Sequence, residues 1–248
     1  MSDTVGRFSA KADDYDRYRP GYPDESFAAI LEGFTDPLIA DIGAGTGQST
    51  KWFCAHNERV IAIEPNLEMR DALARNCPQA DVRDATAEHT TLGDASVDVV
   101  TMFQAFQWCD GAAALAEFTR IARAGGRIAV IWNVPDRDDP FTAAYEDLVD
   151  GHGDANLTES LPAGSGTAKQ FLTSPLLVNT RKLAFRHEQR LDAYTFRGRI
   201  RSVSYLPPPG PALDAIVAEG DALFARFSEH TNELALVYRT VVCLGDRP

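Results

Sequence analysis

Cysteine is scarce in this chain of 248 residues. Cys54, Cys77, Cys109 and Cys243 lie far apart, with no C-x-x-C pair. That scatter excludes a zinc knuckle and a disulfide framework, and fits small thiols in a reducing compartment. Basic residues are also few: 24 Lys and Arg stand against 36 Asp and Glu, for a net charge of −12. Such a surface repels phosphate backbones, and no dense Lys/Arg run offsets it, so no nucleic-acid partner is expected. No apolar run approaches the roughly 20 residues of a membrane helix. The opening Met1-Ser2-Asp3-Thr4 lacks the basic-then-apolar order of a signal peptide. The expectations are no membrane association and a cytoplasmic location. No G-x-S-x-G occurs, which argues against a serine hydrolase. His56, His89, His152 and His230 show no metal-ligand spacing, so no metal is expected.

What is present is an ordinary globular composition, 44% hydrophobic and 24% charged. Between Leu38 and Trp132 short apolar runs alternate with helical patterns. The runs are Leu38–Ile42, Arg59–Ile63, Ala80–Arg83, Val97–Met102 and Arg127–Trp132. The second, fourth and fifth are continuous and β-branched, as strands covered on both faces should be. Asn66 is placed to cap a helix carrying Leu67, Arg70, Leu73 and Ala74. Asp110 is placed to cap another with Leu115, Phe118 and Ile121 on one face, which Gly125-Gly126 is expected to end. This alternation predicts a parallel sheet with helices on both sides.

The flanks read differently. Residues 8 to 35 look helical, interrupted by the aromatic, Arg-rich and proline-broken stretch Tyr15–Pro23. Residues 151 to 168 read as a glycine-rich loop. Lys182–Arg190 is a candidate sixth strand and Leu234–Leu244 a last one. Asp192–Tyr205 and Leu213–Phe227 read as helices, with a rigid break at Pro207–Pro211. The whole is expected to be α/β: a doubly wound, mostly parallel, seven-stranded Rossmann-like sheet with a helical cap. Three parts are expected: residues 1–35 as an N-terminal helical lid, 36–135 as the cofactor-binding core, and 136–248 as the rest of the same fold with cap insertions.

The most informative segment is Asp41-Ile42-Gly43-Ala44-Gly45-Thr46-Gly47, directly after the first strand. Its glycines permit positive φ and let a ligand approach bare backbone. The helix that follows offers unpaired N–H groups. A dinucleotide fingerprint is G-x-G-x-x-G. Here the third glycine comes one residue early, which argues against NAD and an oxidoreductase. Asp41 suits an ammonium group, which an amino-acid-bearing cofactor has and NAD lacks. Glu64 ends the second strand, where a carboxylate can accept both ribose hydroxyls and repel a 2′-phosphate.

With these residues in view the chain resembles class I S-adenosylmethionine-dependent methyltransferases, of the small-molecule kind that includes trans-aconitate methyltransferase. The resemblance also lies in Glu64-Pro65, Thr86-Ala87-Glu88, Ser96-Val97-Asp98, Gln104–Trp108, Gly125-Gly126 and the opening Phe8–Tyr15 with Tyr18-Arg19-Pro20. It implies S-adenosyl-L-methionine as cofactor. Gly43, Ala44, Gly45, Thr46 and Gly47 would wrap the methionine part, with Asp41 at its ammonium. Glu64 and Pro65 would hold the ribose. Met69 would pack on adenine or serve as core. Thr86, Ala87 and Glu88 would border the adenine, with Thr86 where the family often has Asp. Gln104, Ala105 and Phe106 would border the sulfonium, and Tyr15 and Arg19 would belong to the lid.

One departure bears on chemistry. Related sequences often read Ala-Phe-His-Trp where this one has Ala105-Phe106-Gln107-Trp108, and an amide takes up no proton at useful pH. In-line attack on a sulfonium needs proximity and a dry site rather than a base when the nucleophile is already ionised. The reading is therefore O-methylation of a carboxylate or similar group on a small-molecule acceptor. A cofactor-binding scaffold that no longer methylates is the alternative. Arg197 and Arg201, four apart on one helix face with Arg199 beside them, are candidate carboxylate forks. Tyr18, Gln107, Trp108, Trp132 and Tyr205 are candidate pocket walls, and His187 is the fallback base. The oligomeric expectation is a monomer or homodimer.

Overall fold

The computed structural model describes residues 16–56, 59–153 and 166–248. Within them the chain runs α1 (Asp24–Leu31), β1 (Leu38–Ile42), α2 (Gln48–Ala55), β2 (Arg59–Ile63), α3 (Leu67–Asn76), β3 (Asp81–Arg83), β4 (Val97–Phe103), α4 (Gly111–Ile121) and β5 (Ala122–Pro135). It continues with α5 (Pro140–His152), α6 (Gly166–Leu172), β6 (Val178–Leu191), α7 (Ala193–Arg201), α8 (Pro211–Phe227) and β7 (Leu234–Asp246). The seven strands form one sheet in the order β3-β2-β1-β4-β5-β7-β6. β1 pairs in parallel with both β2 and β4, while β7 runs antiparallel between β5 and β6. The doubly wound, mostly parallel seven-stranded expectation holds. Among the described residues, no helix is long and apolar enough to cross a membrane, and no His/Cys/Asp/Glu group could hold a metal ion.

The core strands are buried because their runs are apolar on both faces. Ile42, Ile63, Val100, Ile128 and Val130 pack with Leu115, Phe118 and Ile121 of α4 on one side. Ile39, Val60, Val99 and Ile131 pack with Phe27 and Ile30 of α1 and Phe53 of α2 on the other. The expected caps are present: Asn66 Oδ1 accepts the Met69 N–H at 2.9 Å, and Asp110 accepts those of Ala112 and Ala113. A further apolar cluster joins α5, α7 and α8 through Phe141, Tyr145, Val149, Phe196, Ile200 and Phe224. It forms a helical layer beside the carboxyl end of the sheet.

Several boundaries differ from expectation. Gly125-Gly126 does not end α4. Ile121 is the last helical residue, and the glycines form an irregular entry to β5, with Gly125 at φ +74° and its N–H on Arg247 O at 3.0 Å. A Cβ on Gly126 would lie 2.8 Å from the carbonyls of Arg123 and Asp98, so only glycine fits this close approach. α7 stops at Arg201 rather than Tyr205. Of the loop expected over residues 151–168, Gly166 to Ala168 open helix α6, and residues 154–165 lie outside the described residues. Of the helix expected over residues 8 to 35, Asp24–Leu31 and a turn at residues 16–18 are helical, and residues 8–15 lie outside the described residues. α5 was not foreseen; Asp139 caps it through Thr142 N, and Pro140 fits its first turn.

Candidate active site

Strand order reverses between β1 and β4, which opens a crevice at their carboxyl ends. The loop leaving β1 fills its floor. Gly43, Gly45 and Gly47 sit at φ +64°, +58° and +95°, conformations that favour glycine. A Cβ on Gly43 would lie 3.0 Å from Ala105 Cβ, and one on Gly47 2.8 Å from Leu73 Cδ1. The first glycine therefore clears the crevice, while the last lets α2 pack on α3. The Glu64 carboxylate accepts the Gly45 N–H at 2.9 Å through one oxygen and the Asn66 N–H at 2.9 Å through the other. Burial pushes its pKa up, and those two N–H donors pull against the rise.

Asp41 takes a different place from the one expected. It is fully buried, and its carboxylate accepts Ser49 Oγ and Thr50 Oγ1 at 2.7 Å and Thr101 Oγ1 at 3.0 Å. It lines neither cavity of the crevice. Its bonds fasten the loop to α2 and β4 from beneath rather than facing an ammonium. Burial raises its pKa against those hydroxyls. Thr46 is likewise buried beneath the loop, its Oγ1 without a partner.

Two cavities adjoin at the loop. The first, about 290 Å³, is walled by Gly43, Gly45, Glu64, Pro65, Met69, Thr86, Ala87, Glu88, Gln104 and Ala105, so the structure brings these residues together. Gln107, Trp108 and Tyr205 also line it, joined by residues not foreseen: Asn66, Met102, Phe103, Cys109 and Ser204. The second cavity, about 320 Å³, shares Arg19, Gly43, Gly45, Phe103, Gln104 and Tyr205 with the first and adds Ala44. Gln104 stands at the junction with φ +55°, strained for a side chain of its size. Its Oε1 accepts Asn133 N at 2.9 Å, and its carbonyl accepts Gln107 Nε2 at 3.0 Å.

The second cavity holds charged groups, of which the sequence reading named Arg19 and, only as a neighbour of Arg197 and Arg201, Arg199. Arg199 is buried and lines it, as do Arg137, Glu146, Asp150 and Tyr238. The Arg199 guanidinium stands 5.3 Å over the Tyr145 ring and reaches Tyr238 Oη at 3.4 Å and Ser202 Oγ at 3.5 Å. No carboxylate of the described residues pairs with it within 4.0 Å. Burial pushes Glu146 up to about 7, against the pull of Arg199. The residues of α7 that were expected to do this work face outward. Arg197 pairs with Asp221 at 2.7 Å and Arg201 with Asp214 at 3.5 Å, with about two fifths of each arginine side chain exposed.

Other candidates are placed elsewhere. His187 lies on edge strand β6 opposite Tyr238 and lines neither cavity; burial lowers its pKa. Trp132 is buried in the sheet, where its Nε1 donates to Gln107 Oε1 at 2.9 Å. Phe106 packs on Phe118 and Phe171. Tyr18 lies in a surface recess with Tyr194 and Arg197, its ring against Gly198. Tyr15 lies outside the described residues. Arg19 does reach both cavities, and its guanidinium donates to Ser202 O at 3.3 and 3.2 Å.

Residues 40–130 match the family model described as a methyltransferase domain. An uncharacterized methyltransferase of Mycobacterium tuberculosis is 35% identical over 147 residues, 59% of this chain and 60% of that protein. The chain thus aligns with less than two thirds of that relative's length. The malonyl-[acyl-carrier protein] O-methyltransferase of Yersinia pestis is 33% identical over 124 residues, 49% of this chain and 46% of that protein. A solved structure of a candidate type II methyltransferase from Anaeromyxobacter dehalogenans superposes with a TM-score of 0.65 at 25% identity, covering 93% of this chain and 97% of that one. Residues 40–130 are therefore similar to methyltransferase domains, and the fold is that of a solved candidate methyltransferase with a Rossmann-like sheet.

Proposed function

We propose that the protein methylates a small acidic molecule, placing the methyl group of S-adenosylmethionine on an oxygen of its carboxylate. The observation that supports the acceptor half is Arg199. A guanidinium buried beside a cavity without a carboxylate partner among the described residues is costly unless an anion arrives to pair with it. The partial likeness to an O-methyltransferase supports oxygen as the receiving atom.

The residues of the first cavity suit the cofactor. When bound, it supplies an electrophilic methyl group on a sulfonium. Glu64 keeps lone pairs free beyond its two backbone bonds and is suited to ribose hydroxyls. The bare backbone of Gly43 and Gly45 admits close approach, and Met69 and Pro65 offer apolar walls. Arg199 orients the acceptor, and Tyr205 together with Arg19 closes the junction against water, which strengthens the attraction between opposite charges. No base is needed for an ionised carboxylate, consistent with an amide at position 107. In this reading residues 1–35 form a lid, 36–135 the cofactor core, and 136–248 the rest of the fold with cap insertions.

Calorimetry with S-adenosylhomocysteine and with NAD tests the cofactor half; binding of the first alone is expected. Single turnover with methyl-labelled cofactor and a panel of small acids tests the acceptor half. A methyl ester gives up its label as methanol in mild base, whereas an ether or N-methyl product keeps it. A base-stable product would overturn carboxylate methylation.

A further inference from the structure

Two charged residues sit on faces where their helices are otherwise apolar. In α7, Phe196 and Ile200 are buried, as is Val203 just beyond its end, and Arg199 falls on the same stripe. In α5, Thr142, Tyr145 and Val149 are buried, and Glu146 falls among them. Either side chain would ordinarily be excluded from such a position. Both line the second cavity. They do not pair with each other within 4.0 Å, and the Glu146 carboxyl forms no hydrogen bond with a described residue. The adjacent Asp150 is already engaged, accepting from Arg137 at 2.5 Å.

Opposite charges that share one cavity without touching are complemented by a molecule that bridges them. We propose that the acceptor is bifunctional, presenting its anionic group to Arg199 and a hydroxyl or ammonium donor to Glu146, so that Glu146 selects among acids. This rests on the acid-methylating reading above. The charged and titratable groups around Glu146 are Arg199 from α7, Asp150 and Tyr145 from its own helix, Arg137 from the turn before it, Arg19 from the N-terminal segment, and Tyr205. A second carboxylate on the ligand would meet ionised Glu146 with like charge, so a dicarboxylate is disfavoured at pH 8, above the Glu146 pKa of about 7. Burial keeps Glu146 close to neutrality in pKa, and a bound ammonium would favour its ionised form.

The test is calorimetry at pH 8 on the full chain saturated with S-adenosylhomocysteine. The probes are butanoate, its 2-, 3- and 4-hydroxy and amino derivatives, and succinate. At least one substituted acid is expected to bind about tenfold tighter than butanoate, the effect of one hydrogen bond to a charged group. Glu146→Leu should shrink that gap below about threefold. Glu146→Gln, nearly isosteric, should retain part of it and guards against a folding defect. Butanoate or succinate binding as tightly as every substituted acid overturns the inference, as does a gap that survives Glu146→Leu. If butanoate binding disappears on Arg199→Leu while no gap exists, the acid reading stands and this inference falls. If no acid binds the unaltered chain, both fall.

Discussion

The Glu64 carboxylate and the Gly45 N–H meet at 2.9 Å across 19 residues of chain, joining the tip of β2 to the middle of the glycine loop. One side chain thus shapes the loop and stands in the cavity that the loop borders. Glu64→Gln keeps an acceptor but loses the charge, and is expected to weaken S-adenosylhomocysteine binding about tenfold; Glu64→Ala should weaken it about a hundredfold. Calorimetry reads both. Unchanged affinity in Glu64→Ala would remove Glu64 from the cofactor site.

Asp41 separates bracing from ligand contact. Removing its carboxylate leaves the buried hydroxyls of Ser49, Thr50 and Thr101 without their acceptor. Asp41→Ala is expected to cost about 2–4 kcal/mol in urea unfolding. The protein that still folds should bind S-adenosylhomocysteine within about threefold of the original. A large loss of affinity at unchanged stability would restore the ammonium contact expected from sequence.

Among the arginines of α7, only the buried one should matter to the acceptor. Arg199→Leu is expected to raise KM for the acid about a hundredfold, the effect of losing a charge-assisted hydrogen bond in a desolvated site. Arg197→Ala and Arg201→Ala remove exposed ion pairs and should change KM less than about twofold. Steady-state kinetics on the three variants decides the matter.

Turnover should be indifferent to His187. The ring lies on β6 away from both cavities, so His187→Ala is expected to leave kcat within about twofold and the pH profile unshifted. A tenfold fall in kcat would bring the residue back as a base.

Glu146 makes a prediction about stability. Its pKa in the folded chain is raised from 4.5 to about 7 by burial, so the folded state binds the proton more tightly than the unfolded one. Stability from this group is fully present below about pH 4.5 and fades as pH rises through 7. The total is about 3 kcal/mol. Glu146→Gln does not titrate, so the difference in unfolding free energy between the two proteins should drift by about that amount from pH 4.5 to 8. Parallel curves in urea titrations would contradict the burial of a titrating carboxyl.

How far the sequence led depends on the physical signal each residue carried. The bounds of β1 and β2 were legible to the residue, because continuous apolar runs admit little else. β5 was underestimated at both ends, since Ala122–Gly126 and Asn133–Pro135 lack the apolar pattern: Ala122 is held by pairing with Val97, and Asn133–Pro135 by pairing with β7. Most of the first cavity was foreseen, because its contacts are local to the loops after β1, β2, β3 and β4. The second cavity was not, since α5, α7, β7 and the N-terminal segment meet there only in the folded chain. Arg199 still left a trace. It sits three residues after Phe196 and four before Val203, the spacing of a buried stripe, whereas spacing between the arginines pointed to the solvent face.

Gln107 accepts from the Trp132 indole and donates to the Gln104 carbonyl at once. An amide holds both polarities in a fixed sense and never exchanges a proton in this range. An imidazolium in its place would present only donors and leave the indole facing another N–H. The corner beneath Gln104 is therefore blind to acidity and adds no pH dependence of its own.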